Sequence, residues 1–152
     1  MIHRLLLAIG VAIVLSGCGG ILRKPYISRG VSEADAASIA VEMAAYIGRI
    51  HPPAQTIIAI HLPRFARWRD PVAPVLAESL RRSGFAVMET DTGAVIPSSA
   101  HHVSYAVSAW ADGVSVQIVL DGTIASRWYV RSAGGGLLAV SPFAVREANY
   151  GY

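Results

Sequence analysis

Two Asp-Gly steps, Asp112-Gly113 and Asp121-Gly122, separate three segments in which apolar and polar side chains alternate. Alternation with a period of two is what a strand with one buried face requires, and Asp-Gly favours the tight turns that join such strands. The pattern predicts a three-stranded antiparallel meander over His102–Trp110, Val114–Leu120 and Thr123–Arg131. With Asp-Gly at the centre of each turn, Trp110 would lie opposite Ser115, and Ser115 opposite Trp128. One face then collects Tyr105, Val107, Ala109, Val116, Ile118, Leu120 and Ala125, which is core composition. The other collects Ser104, Ser108, Trp110, Ser115, Gln117, Ser126 and Trp128. Large aromatics among small polar residues suit a docking surface, so Trp110, Ser115 and Trp128 are candidate partner-binding residues. The alternative is that the tail from Leu137 to Phe143 folds over the tryptophans instead of adding an edge strand.

Something must cover the apolar face. Upstream, Ser32 reads as an N-cap with Glu33 and Asp35 in the first turn, where the helix dipole favours acid. Ala36, Ile39, Met43, Ile47 and Ile50 follow at helical spacing, and His51-Pro52-Pro53 stops the helix. Thr56–His61 reads as a buried central strand and Leu62–Asp70 as a loop. A second helix runs from about Asp70-Pro71 to Ser83, with Gly84 as its stop, and Phe85–Glu89 is a further strand. The expected fold is therefore α+β, with two helices on one face of a mixed or antiparallel sheet that ends in the meander.

The first residues have a different character. His3 and Arg4 precede an unbroken apolar run from Leu5 to Leu15, shorter than the ~20 residues a bilayer span needs. This is the pattern of a signal peptide, residues 1–17. The run leads into Leu15-Ser16-Gly17-Cys18, which resembles the bacterial lipobox. That resemblance implies cleavage before Cys18 and a diacylglycerol on its sulfur. Cys18 is the chain's one cysteine, so no internal disulfide is available. Multiple acyl chains on one residue anchor stably where a single chain does not. Residue 19 is glycine, not the aspartate that signals inner-membrane retention, so the expected address is the outer membrane, facing the periplasm. Residues 18–30 carry glycines, charges and a proline in place of apolar period, and read as a tether to a periplasmic domain over 31–152.

Catalytic chemistry finds little support. His101-His102 are adjacent, so on a strand their rings face opposite ways, and His51 and His61 have no helical partner at i,i+4. No metal site is expected, and no cofactor beyond the lipid on Cys18. No serine sits in a nucleophile elbow, Gly134–Gly136 lacks the setting of a phosphate loop, and no catalytic residue or small-molecule substrate is indicated. The formal charge of +3 comes from 13 basic and 10 acidic residues, too small an excess for a nucleic-acid surface. Arg64-Phe65-Ala66-Arg67-Trp68-Arg69 interleaves arginine with aromatics. Arg64, Arg67 and Trp68 are candidates for an electrostatic contact, and the alternative is a solvated loop.

The helix over Ala36–Ile50 leading to Pro52-Pro53, LAESLRRSGFAV (Leu76–Val87), DGVSVQIVLDGTIASRWYVR (Asp112–Arg131) and SPFAVRE (Ser141–Glu147) together resemble TrbH, the lipoprotein of Trb-type conjugal transfer systems. The resemblance implies a structural or assembly part of the mating-pair apparatus, a type IV secretion channel. Its partners would be other channel proteins and, through the lipid, the membrane, with no direct contact to DNA. The element order after a lipobox is also similar to lipoproteins that dock on and activate cell-wall synthases. Those reach across the periplasm on long tethers. The short stretch here favours a partner held close to the membrane.

Overall fold

Ser32 opens the first helix with a reciprocal cap. Its hydroxyl accepts from the Asp35 N–H at 3.1 Å, and the Asp35 carboxylate accepts from the Ser32 N–H at 3.1 Å. In the computed structural model, which describes residues 26–62, 70–90 and 95–147, this helix (α1) spans Glu33–Ile50. A short 3-10 turn at Pro53–Gln55 follows. The second helix, α2, spans Val72–Arg82. Asp70 fixes its start by accepting from the N–H groups of Val72 (2.8 Å) and Ala73 (3.1 Å). Pro74 falls in the first turn, where a missing N–H costs nothing. The helix ends with Gly84 N–H donating to Arg81 O and Phe85 N–H to Leu80 O, and Gly84 takes a φ of +93°. Left-handed angles at this position are what glycine provides.

The strands are β1 (Tyr26–Ile27), β2 (Ile57–His61), β3 (Ala86–Thr90), β4 (His101–Ala109), β5 (Gly113–Leu120), β6 (Thr123–Arg131), β7 (Leu137–Ala139) and β8 (Ala144–Glu147). They form one mixed sheet in the order β3-β2-β4-β5-β6-β7. β2 runs parallel to both β3 and β4, and β4-β5-β6 is the antiparallel meander. The expected α+β architecture, with helices on one face, is what forms.

Both helices bury their apolar stripes on a single face of this sheet. Ile39, Met43 and Ile47 from α1, with Leu76 and Leu80 from α2, share one core with Ile58, Ile60, Val103, Tyr105, Val116 and Ile118. Register explains the set: Val103, Tyr105 and Val107 pair with Leu120, Ile118 and Val116, so all six point the same way. β6 contributes Arg127, Tyr129 and Arg131 to that face, and these grip the polar flank of α1. Arg131 makes two hydrogen bonds to Asp35 at 3.0 and 2.7 Å, while Arg127 and Tyr129 both reach Glu42.

The two ends of the domain complete the sheet. The segment read as a tether contributes Tyr26–Ile27 to the sheet, parallel to β4 at Ala106–Val107, and Ile27 and Val31 pack against the core. β2 pairs only with the first part of β4, at His101–Val103, and β1 fills the edge beyond it. The tail, meanwhile, does not fold over the tryptophans. It adds β7 and β8 to the outer edge of β6, and Phe143 packs on Tyr46 of α1 at 4.7 Å between ring centroids.

Candidate functional site

The sheet face turned away from the helices carries the tryptophans that the sequence singled out. Along β4, β5 and β6 it presents Ser104, Ala106, Ser108, Ser115, Gln117, Ser126 and Trp128, all partly exposed. No described helix covers it. At one end, three apolar side chains stand well into solvent: Tyr26 at 55 %, Trp110 at 62 % and Leu138 at 58 % exposure. Register puts Tyr26 level with Ala106 and Leu138 level with Val130, both on this face.

The row expected to run Trp110–Ser115–Trp128 is corrected at its first member. Ser115 does pair with Trp128, but its partner on β4 is Ser108. Trp110 instead lies opposite Gly113, donating its N–H to the Gly113 carbonyl at 2.8 Å. The turn is centred on Ala111-Asp112, one residue earlier than an Asp-Gly centre. The reason is packing. A side chain at Gly113 would collide with the Tyr129 carbonyl oxygen and press on the Trp128 indole, which lies over this glycine. Gly113 is therefore required within the strand by close approach, not within the turn by its φ. The pairing shifts by two residues, so every side chain keeps its face and both tryptophans end beside Gly113. The second turn follows expectation: Asp121 (φ +49°) and Gly122 (φ +87°) are both left-handed.

The histidines form two pairs that sequence spacing did not foresee. Adjacent on β4, His101 and His102 do point to opposite faces, yet each meets a histidine from elsewhere. On the uncovered face His102 stacks on His61, with ring nitrogens 2.8 Å apart, and Thr90 lies 3.4 Å from the other nitrogen of His61. On the helix face His101 lies against His51, at the end of α1, with ring centroids 3.9 Å apart. Asp121 approaches the same ring, its Oδ2 at 2.5 Å from His101 Nδ1, while its Oδ1 accepts from the His102 N–H at 2.8 Å. Burial, then the neighbouring imidazole, push His51 below its ordinary pKa, and the same two causes act on His61. The signal that could have revealed Asp121 is register. The true pairing sets it level with His102, whereas the expected one set it level with Ser104.

Cys18, Arg64, Arg67 and Trp68 lie outside the described residues. Among the described residues no helix is long and apolar enough to cross a membrane. In comparison with known families, the model of a family described as conjugal transfer protein TrbH matches residues 23–149. Neither curated proteins nor solved structures yield a match.

Proposed function

The chain belongs to the TrbH family of conjugal transfer proteins, and from that premise we propose that it is a lipid-anchored structural part of the mating-pair channel, held at the outer membrane and facing the periplasm. The observation that carries this reading is the extent of the family match, which takes in every described strand and both helices. The address rests on Leu15-Ser16-Gly17-Cys18 closing an apolar run, with glycine and not aspartate after the cysteine. The role is that of a scaffold. One sheet face is spent on the helices, and the other offers Trp110, Trp128, Tyr26 and Leu138 to neighbouring transfer proteins.

The test is a deletion strain complemented with wild type or with Cys18→Ser. Deletion should abolish or sharply reduce DNA transfer while growth and cell shape stay normal. The serine variant should take up no radioactive fatty acid and should restore transfer poorly. Normal transfer in the deletion strain, with altered cell-wall cross-linking, would point to a synthase activator instead. Label retained by the serine variant would remove the lipid anchor from the account.

A further inference from the structure

We propose that His51, His101 and Asp121 form a binding site for a divalent transition-metal ion of the zinc type. One ligand atom from each residue lies within 4.8 Å of the other two. They come from three separate elements, so the site depends on the tertiary fold and on no local motif. His51 follows α1, with its N–H bonded to Ile47 O at 3.0 Å. His101 opens β4, and Asp121 sits in the left-handed turn between β5 and β6. That turn is tied to β4 by the Asp121 N–H on His102 O (3.1 Å) and by His102 N–H on Asp121 Oδ1 (2.8 Å).

Two imidazoles and one carboxylate make the donor set that zinc and its neighbours accept. A tetrahedral ion with bonds of ~2.0–2.1 Å needs its donors roughly 3.3 Å apart, so side-chain rotation must close about 1.5 Å at most. Asp121 is oriented for this, because its Oδ1 is held by the His102 N–H and its Oδ2 faces the His101 ring. Oδ2 lies 2.5 Å from His101 Nδ1, so an ion bound by these two atoms requires them to open by about 0.8 Å, to the same ~3.3 Å separation. All three side chains are partly open to solvent, which leaves a fourth position for water or for a ligand from another protein. The His61 and His102 rings have a threonine beside them and, among the described residues, no carboxylate hydrogen-bonded to either ring. It provides an internal comparison.

The test uses the full chain in detergent, with any affinity tag removed, stripped with EDTA and titrated with CoCl₂ and then ZnCl₂. Cobalt should produce a visible ligand-field band distinct from the aqueous ion, and zinc should abolish it. His51→Gln and Asp121→Asn should each weaken binding by about ten-fold or more. A joint His61→Gln, His102→Gln variant should bind as wild type does. Circular dichroism in EDTA establishes that each variant is folded, and should Asp121→Asn fail there, His51→Gln at the helix end carries the comparison. No band with wild type, an unchanged band with His51→Gln, or a band lost only with the His61/His102 variant overturns the proposal. None of these outcomes bears on the conjugation reading, which rests on the family match.

Discussion

Asp35 shows how much one carboxylate can organise. It completes the cap of α1 by accepting from the Ser32 N–H, and it accepts two hydrogen bonds from Arg131 on β6. Arg131 is the main cause that holds its pKa below the ordinary carboxylate value, against the opposing pull of burial. A carboxylate with a depressed folded pKa contributes stability that is present above its unfolded pKa and lost as pH falls through the folded one. The melting temperature should therefore drop as pH is lowered from about 5 through and below Asp35's folded pKa. Asp35→Asn should melt lower than wild type at neutral pH and show a shallower acid slope. Parallel acid slopes for the two proteins, read by circular dichroism melts across pH, would remove Asp35 from this role. The cap itself was legible, because Ser32 and Asp35 lie within one turn. The arginine was not: it is 96 residues away, and only the register of β6 brings it there.

Asp70 serves the second helix as Asp35 serves the first, and it ties that helix to the sheet. Its Oδ1 accepts from two N–H groups of the first turn, and its Oδ2 accepts the Tyr105 hydroxyl at 2.5 Å. Burial, reinforced by the Asp70 charge, pushes the Tyr105 pKa far up, so the phenol stays a donor. Tyr105→Phe leaves a buried carboxylate oxygen without its partner and should cost about 1–3 kcal/mol in urea unfolding. Asp70→Ala leaves the buried Tyr105 hydroxyl without its acceptor and also loses the helix cap, which adds about 0.5–2 kcal/mol, so it should be the more damaging change. The reverse order would mean that the hydroxyl, not the cap, holds the helix in place. Helices and long strands were legible because each has a period and a stop: Ser32, Pro52-Pro53, Gly84, Asp121-Gly122. Two elements were not. β1 and β8 span two and four residues, too few to show a period, whereas β7 falls in the tail that the sequence allowed as an edge strand. Their positions follow from edges that β4 and β6 leave unpaired. The first hairpin misled for another reason, since Gly113 answers to the Trp128 ring and the Tyr129 carbonyl, contacts that no local pattern records.

At the scale of the molecule the two sheet faces divide the work. The helix face holds the core, and the other keeps Trp110 exposed beside small polar neighbours. Trp110 is 62 % exposed, so Trp110→Ala should cost about 1 kcal/mol of stability or less. As a docking anchor it should still weaken binding to the partner about ten-fold or more, read as lost DNA transfer at normal protein level. Trp128→Ala should affect both, because its ring also covers Gly113. Full transfer with both variants would move docking to another surface. The sheet's margins carry a different consequence. On one side the outer strand is β3, five residues long, with Glu89 held by Arg81 at 2.9 Å. On the other, β7 and β8 are separate short pieces divided at Ser141-Pro142. Sheets grow into fibres by adding strands to a long, regular rail of free amides and carbonyls. Among the described residues one rail is short and charged and the other is broken, so crowded copies of this domain meet a poor template on which to polymerise.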